Sequence, residues 1–344
     1  MSVAKKGFSG RIRQVFGRAT TLLVVPALLL SATSCKDDDD PAPAAPAQQN
    51  IVQLAQGNAN LSTLVAAVTK TSLATTLSGT TELTVFAPTN AAFAALPDPF
   101  KTAASINAIT DAATITALKG ILLYHVIAGD VKAAAIMSGA KLTQRTATAG
   151  VNDNTIYLSK NATGVFINGT SQVTTADVDA SNGVVHVINK VLLPPSQNIV
   201  ALAQATPTLS ALVAAVIKTD LVATLSAGTA NFTVFAPTDA AFAALPDPFK
   251  TAASINAITD AATINSLKNI LLYHAAAARV FSTDLTNNQI VTTAAAAPNN
   301  TVIITTTGGA KVKGRTNATP SGITAVDILA TNGVVHLIDQ VLLP

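Results

Sequence analysis

Residues 87–125 read APTNAAFAALPDPFKTAASINAITDAATITALKGILLYH, and residues 236–274 repeat this stretch as APTDAAFAALPDPFKTAASINAITDAATINSLKNILLYH. The two stretches differ at four of 39 positions, which are Asn90/Asp239, Thr116/Asn265, Ala117/Ser266 and Gly120/Asn269. Self-similarity over this length predicts that one folding unit occurs twice in the chain.

The repeat extends outward in both directions. LSTLVAAVTKTSLATTL at 61–77 matches LSALVAAVIKTDLVATL at 209–225, and NGVVHVINKVLLP at 182–194 matches NGVVHLIDQVLLP at 332–344. A period near 150 residues is too long for a solenoid repeat, so each copy is predicted to be a domain.

The predicted domain boundary follows from the repeat. Domain 1 is expected at 50–194 and domain 2 at 195–344, and we call these residues copy 1 and copy 2. They join at Pro194-Pro195-Ser196. Because this connection is short, we expect the two domains to touch or to restrict each other.

The first half of each copy has helical patterns. Apolar residues of 61–70 recur at i, i+3, i+4 and i+7, which predicts an amphipathic helix. Residues 82–86 alternate and are predicted to form a strand. Thr89 and its equivalent Thr238 are predicted N-caps, and Asp111 is predicted to cap a second helix.

The second half of each copy changes to short β-like runs. From Ile121 onward, copy 1 contains TIYLS, GVFING, SQVTTADV and GVVHVI, separated by Gly, Asn and Asp. Asn182-Gly183 and Asn332-Gly333 are dipeptides typical of a tight turn, here before the last strand. The predicted fold class is therefore α+β.

The first 34 residues have the order of a secretory signal peptide. Residues 1–18 are basic, residues 20–30 form an apolar run too short to span a bilayer, and small residues 31–34 precede the only cysteine, Cys35. A lone Cys at this place resembles the lipobox of bacterial lipoproteins, which implies that Cys35 is lipidated. An ordinary signal peptide is the alternative.

Residues 35–49 are predicted to be a disordered tether, because Asp37–Asp40 are followed by a segment of Pro and Ala. Lys36 with these acids also resembles the signal that sends lipoproteins to the outer face of the outer membrane in some bacteria; a solvated spacer is the other interpretation. We expect a secreted protein held on the outer membrane by the lipid at Cys35 and facing the cell surface.

Composition excludes some partners. Trp is absent and aromatic residues make up 4% of the chain, which argues against a stacking platform for sugars or for single-stranded nucleic acid. Five of the 21 basic residues precede Cys35, so removal of residues 1–34 leaves 16 basic and 18 acidic side chains, a net charge of −2. We therefore expect no nucleic-acid partner.

Three motifs, TVFAPTNAAF, LLYHVI and NGVVHVINKVL, occur in this order and resemble those of the fasciclin domain; copy 2 carries TVFAPTDAAF, LLYHAAA and NGVVHLIDQVL. The resemblance covers 50–194 and 198–344. It implies two tandem domains, each a compact β-sandwich wedge flanked by several α-helices. It also implies adhesion, through binding of an extracellular polysaccharide or of a matrix or surface protein.

All four histidines belong to the repeated motifs. A structural role predicts buried, hydrogen-bonded imidazoles; the sharper hypothesis pairs His125 with His186 as metal ligands or as a catalytic base. Since there is one Glu, one Cys and no HExxH, GxSxG or Walker motif, we predict no enzyme activity, no metal and no cofactor. The motif residues assigned structural roles are Thr89, Tyr124, His125, Asn182, Gly183, His186, Thr238, Tyr273, His274, Asn332, Gly333 and His336.

Two further hypotheses concern binding. Lys311, Lys313 and Arg315 alternate in KVKGR and are predicted to place three positive charges on one face of a strand. These residues are candidates for contact with a polyanion; a solvated or edge-protecting face is the other interpretation. A small-ligand carrier is the alternative function, and it requires an apolar pocket within a domain or between the two.

Overall fold

A computed structural model describes residues 48–228 and 231–344. The predicted signal peptide at 1–34, the lipidated Cys35 and the tether up to residue 47 lie outside the described residues. Among the residues described, no helix has the length and apolar character needed to cross a bilayer.

Copy 1 begins with helices and ends with strands. The helices are α1 Ile51–Gln56, α2 Ser62–Lys70, α3 Ala74–Leu77, α4 Asn90–Ala94, α5 Ala103–Asn107 and α6 Ala112–Tyr124. The strands are β1 Leu83–Pro88, β2 Val126–Ala128, β3 Gly139–Leu142, β4 Thr155–Asn161, β5 Gly164–Ile167, β6 Ser171–Ala180 and β7 Gly183–Ile188.

Copy 2 repeats this order element by element. Its helices are α7 Ile199–Gln204, α8 Ser210–Lys218, α9 Val222–Ser226, α10 Asp239–Ala243, α11 Ala252–Asn256 and α12 Ala261–Tyr273. Its strands are β8 Phe232–Pro237, β9 Ala275–Ala276, β10 Ile290–Thr292, β11 Thr301–Thr305, β12 Lys311–Lys313, β13 Ser321–Ala330 and β14 Gly333–Ile338. The α+β prediction is confirmed in both copies.

Each copy contains one sheet of seven strands that curls back on itself. The order in copy 1 is β2-β1-β7-β6-β5-β4-β3, and copy 2 has the same order. Only β1 with β7, and β8 with β14, run parallel among the described pairs. A bridge between Ile127 and Thr143 joins the two edges of the first sheet. The wedge is therefore a nearly closed sheet.

The core lies on both faces of β1 and β7. Alternate residues point to opposite sides of a strand, so Val85 and Ala87 pack against the helices while Phe86 packs inside the curled sheet. Every residue of these two strands is buried. Burial on both faces explains why the motifs TVFAP and GVVHVI are continuous apolar runs instead of alternating ones.

The second long helix extends further than the sequence predicted. Residues from Ile121 onward were expected to be β-like, yet α6 continues to Tyr124. The segment ILLY is apolar throughout, so periodicity alone does not distinguish a buried helix turn from a strand. The predicted cap is present, because the Asp111 carboxylate accepts a hydrogen bond of 2.7 Å from the Thr114 backbone N–H.

The predicted turn before the last strand differs by one residue. Ala180 pairs with Gly183, so Ser181 and Asn182 form the loop and Gly183 is the first residue of β7. Gly183 has a φ of 137°, and a Cβ there would collide with the carbonyl oxygen of Leu83 in β1. The close approach of two parallel strands, rather than the turn, therefore requires this glycine.

Candidate functional site

His125 and His274 use both ring nitrogens for backbone contacts. Nε2 of His125 accepts from the Leu192 N–H at 2.8 Å, and its Nδ1, protonated in the tautomer that fits these partners, donates to the Ile121 carbonyl at 2.7 Å. His274 makes the equivalent bonds at the same distances. Burial lowers the pKa of each to about 4. Neither imidazole has a free nitrogen for a metal or a substrate.

His186 and His336 are also fully engaged. Nδ1 of His186 accepts from the Asp177 N–H at 3.2 Å, and Nε2 donates to the Val131 carbonyl at 2.9 Å. The ring stacks on Phe86 with 5.6 Å between centroids. His336 repeats this arrangement with Asp327. The structure thus gives His125 and His186 separate backbone partners, and they do not share a ligand position.

Two more pairs of motif residues connect distant elements. The Tyr124 hydroxyl donates to the Thr155 carbonyl at 2.7 Å, which joins α6 to β4, and Tyr273 makes the same contact with Thr301. Asn182 accepts from the Ile51 N–H at 3.0 Å and donates to the carbonyls of Leu77 and Gly79, both at 2.8 Å. Asn332 makes three equivalent bonds in copy 2.

Thr89 and Thr238 lie at the N-caps of α4 and α10. Their hydroxyls accept from the backbone N–H groups of Ala92 and Ala241 at 3.2 and 3.4 Å. All of these motif residues act within their own copy. They position the sheet and the helices, and their side chains do not form an open site.

The basic triplet is only partly on one strand face. β12 ends at Lys313, so Arg315 lies in the loop that follows, which corrects the prediction that all three charges share a strand. Val312 between the lysines is fully buried, so Lys311 and Lys313 both point outward. The Arg315 guanidinium donates to the Asn299 side chain. The extra residues between β12 and β13 in copy 2 carry this arginine out of the sheet.

The apolar cavities are small. Copy 1 has a cavity of about 40 Å³ between its first helices and the sheet, beside His125, and copy 2 has an equivalent cavity of about 30 Å³. A cavity that holds benzene needs about 150 Å³. These two cavities of the described residues are therefore too small to enclose a carried ligand. Nor does any group of three His, Cys, Asp or Glu side chains within 48–228 and 231–344 have the spacing of a metal site.

Two larger open grooves have the same lining in both copies. They measure about 410 Å³ in copy 1 and 390 Å³ in copy 2, beside α5 and α11. All eight lining residues are identical between the copies: Asp98, Pro99, Ser105, Ala108, Ile109, Thr110, Asp111 and Thr114 correspond to Asp247, Pro248, Ser254, Ala257, Ile258, Thr259, Asp260 and Thr263. The grooves offer carboxylates, hydroxyls and an apolar floor.

The two copies contact each other through aromatic and polar residues. The Arg279 guanidinium of copy 2 lies 4.4 Å above the Tyr157 ring of copy 1, and the Phe281 ring lies 5.6 Å from it. Asn161 donates to the Thr283 carbonyl at 3.0 Å across the same interface. Burial lowers the pKa of Arg279 from its ordinary value. No carboxylate within the described residues forms an ion pair with it.

A turn of copy 1 covers a carboxylate of copy 2. A Cβ on Gly169 would lie 2.5 Å from the carboxyl carbon of Asp327, so only glycine fits at this contact. Asp327 is 7% exposed, and burial raises the pKa of its carboxyl. It accepts from the Ser282 N–H at 2.7 Å. The equivalent residue in copy 1, Asp177, is exposed.

Sequence reasoning missed the grooves and the interface for different reasons. The signal for the grooves was the near-identity of 87–125 and 236–274, but it covers exposed positions inside the groove, such as Thr110, as well as outside it, such as Lys119. The interface had none. Tyr157 and Arg279 differ from their equivalents in the other copy, and only the three-dimensional arrangement brings them together.

Several known proteins are similar in sequence to parts of this chain. Protein sll1483 of Synechocystis sp. is 43% identical over 147 residues, which are 42% of this chain and 73% of that protein. The transforming growth factor-beta-induced protein ig-h3 of Sus scrofa is 27% identical over 270 residues, 78% of this chain and 35% of that protein. The cell surface glycolipoprotein MPB83 of Mycobacterium bovis is 36% identical over 162 residues, 44% of this chain and 63% of that protein.

A match among solved structures covers most of the chain. The FAS1 domain pair from the insect cell adhesion molecule Fasciclin I matches with 20% identity and a TM-score of 0.39, covering 85% of this chain and 96% of that one. A sequence profile of the fasciclin domain matches residues 59–194 and again 207–344. The chain therefore belongs to the fasciclin domain family, of which it contains two tandem members.

Proposed function

We propose that this protein is a cell-surface adhesion protein that binds a repetitive extracellular polysaccharide through its two grooves. The observation that carries the proposal is that the near-identical stretches 87–125 and 236–274 form the same open groove in both copies, with all eight lining residues identical. Exposed positions usually change with little effect on stability. Retention of the same exposed groove in both copies is expected if both bind the same repeating unit.

The chemistry of the groove suits sugar hydroxyls. In copy 1, Asp98 and the Asp111 oxygen that does not cap α6 offer acceptors, and Thr110 offers a hydroxyl, whereas the Ser105 hydroxyl is bonded to Thr102. Pro99 adds apolar surface for the carbon face of a sugar ring. Each groove is open and shallow, so a single site is expected to bind weakly.

Two linked weak sites gain strength together. Once one groove is occupied, the second groove binds the same polymer at a high effective concentration, and avidity exceeds single-site affinity by about 10²–10⁴-fold. Since both copies lie in one compact unit, Gln48–Pro344, the linker entropy that reduces this gain is small.

The membrane anchor and the absence of catalysis are part of the proposal. The order of basic, apolar and small residues before Cys35 supports lipidation there and display on the outer membrane, and the similar MPB83 bears the name of a cell surface glycolipoprotein. The occupied imidazole nitrogens support a role without catalysis. Cys35→Ser should move the protein from the membrane fraction to the soluble fraction; retention on the membrane would contradict the anchor.

The grooves are tested by filling them. Ala108 and Ala257 are exposed and lie in the grooves, so A108W or A257W should block one groove and leave the core unchanged. Binding is measured by co-sedimentation with a panel of insoluble polysaccharides. Each single variant should lower the apparent affinity at least ~10²-fold through loss of avidity, and the double variant should abolish binding.

The control is A117W, an exposed change on α6 outside the groove. It should bind like the wild type. A double groove variant that binds polysaccharide as tightly as the wild type would show that the grooves are not the site. The wild type could instead bind a matrix protein and no polysaccharide, with that binding lost in the double variant. This result would show that the grooves are the binding site but that the partner is a protein.

A further inference from the structure

The contact between the two copies joins two different faces. Copy 1 contributes the outward side of its sheet at Tyr157, which we call the sheet face. Copy 2 contributes the loop after β9 with the middle of β13, at Arg279, Phe281 and Asp327, which we call the loop face. Because the copies share one fold, copy 2 also has a sheet face and copy 1 also has a loop face. Neither of these takes part in the contact between the copies.

The sheet face of copy 2 is apolar and basic. Ile303 is the equivalent of Tyr157. The hydroxyl of Tyr124 bonds to the carbonyl of Thr155, two residues before Tyr157. The hydroxyl of Tyr273 bonds to the carbonyl of Thr301, two residues before Ile303. Ile303 is 44% exposed and pairs with Ile290, which is 67% exposed, on the neighbouring strand. Lys313 pairs with Ile303 from the other side. Lys311 and Arg315 lie beside them.

These three cations have no partner of opposite charge. In the described part of the chain, no carboxylate lies within ion-pair distance of Lys311, Lys313 or Arg315. An exposed pair of isoleucines framed by unpaired cations is unlike a solvated strand face, which carries no large apolar side chains.

The loop face of copy 1 has the complementary charge. Asp130 takes the place of Arg279, and Lys132 takes the place of Phe281, because the residues between them, Val131 and Val280, donate equivalent bonds to Thr84 and Thr233. Asp177 and Asp179 lie beside them. Lys132 contacts Asp130 and Asp179, and Lys160 bonds to the neighbouring carbonyls. Three carboxylates against two ammonium groups leave this face acidic.

We propose that the sheet face of copy 2 binds the loop face of copy 1 in a second molecule of the same chain. The contact uses, between two molecules, the same two kinds of face that join the copies within one molecule. It is head-to-tail, so each added molecule exposes the same two faces again and the assembly stays open. The basic and acidic faces attract each other, and the isoleucines lose contact with water. Charge at the rim makes the association sensitive to salt.

The test uses sedimentation velocity of the full chain carrying Cys35→Ser, so that no acyl group on Cys35 drives association. The average sedimentation coefficient should rise with protein concentration beyond that of a dimer, and 0.5 M NaCl should reverse the rise. I303E should weaken association at least tenfold. I217E, which changes an isoleucine of 55% exposure on helix α8, should not.

Charge reversal gives the sharper measurement. K311E/K313E and D130K/D179K should each remove association, because each brings like charges together. An equimolar mixture of the two variants should restore it: the unchanged loop face of the first variant binds the unchanged sheet face of the second, and growth beyond a dimer requires the acidic sheet face to bind the basic loop face. Restoration also shows that both variants are folded. A wild-type chain that stays monomeric to the highest concentration reached, or a mixture that stays monomeric, would overturn the proposal.

Discussion

The loop faces of the two copies have the same backbone and opposite chemistry. In copy 2 this face carries Arg279 and Phe281 and is covered by copy 1, so that Phe281 is 1% exposed. In copy 1 the same two positions carry Asp130 and Lys132, which form an ion pair in solvent. The difference shows how a neighbour determines surface residues. The face that is covered within the molecule carries an aromatic side chain and an arginine, whereas the face that is open in the single molecule carries charged side chains.

One residue of this face stays the same. Asp177 and Asp327 both have positive φ, 57° and 59°, and both accept a backbone N–H, from Ala133 and Ser282 respectively. Asp is among the few residues other than glycine that adopt this conformation readily. The aspartate therefore fixes the loop in both copies, even where burial raises the pKa of the Asp327 carboxyl.

The largest expected effect tests whether the interiors of the copies are equivalent. Asn182→Ala and Asn332→Ala each remove three hydrogen bonds of a buried side chain. Each should lower the free energy of unfolding by roughly 4 kcal/mol, because buried backbone groups lose their partners. Urea unfolding measures the change.

The exposed Asn107→Ala serves as the control and should stay within about 0.5 kcal/mol of the wild type. A large loss for one copy and a small loss for the other would show that the two interiors are not equivalent.

An effect that is somewhat smaller for each residue comes from acid. Burial holds the pKa of His125 and His274 at about 4 in the folded chain, against about 6.5 in the unfolded chain. The unfolded state therefore binds more protons between pH 6.5 and 4. Stability is complete above pH 6.5 and falls as the pH drops to 4, by about 3 kcal/mol for each imidazole.

Urea unfolding at pH 7, 5.5 and 4 measures this loss. The slope of the unfolding free energy against pH should correspond to the uptake of at least two protons on unfolding, one by His125 and one by His274. A free energy of unfolding that does not change over this range would show that the rings are not held neutral by burial.

The smallest effect isolates the difference between the copies. Gly169→Ala places a methyl group against the Asp327 carboxylate and should weaken the contact between the copies by about 2 kcal/mol. Gly308→Ala is a matched control, since Gly308 has a φ of 72° against 73° for Gly169 and a Cβ there would meet no other atom within 4 Å. Protease cleavage at the connection near Pro195 measures separation. Equal cleavage of both variants would mean that the strain of an alanine at positive φ causes the separation, and that contact with Asp327 does not.

The sequence predicts those parts of the structure that depend on local patterns or on the internal repeat. The caps at Thr89 and Asp111 and the strand GVVHVI follow from residue type and spacing, and the fold class follows from the order of the patterns. The turn predicted at Gly183 lies one residue too late. This glycine is required by its close contact with strand β1, about a hundred residues earlier in the chain, and not by the turn. The contact of Tyr157 with Arg279 could not be predicted, since a pairing of surface residues between domains leaves no periodic signal.

The parallel pairing of β1 with β7 has a consequence for how the chain acquires its fold. The partner strands are nearly interchangeable, with LTVFAP and FTVFAP as the first pair and GVVHVI and GVVHLI as the second. Between β1 and β7 lie residues 89–182, yet between β7 and β8 lie only residues 189–231. Loop entropy therefore favours the wrong partner, β8.

Ordered emergence from the amino terminus favours the native pairing, because β1 and β7 leave the ribosome or the export channel before β8 does. Refolding of the complete denatured chain loses that order, and its yield of native protein should fall below that of newly made chain. The order in which the strands emerge thus supplies the selectivity that their side chains lack.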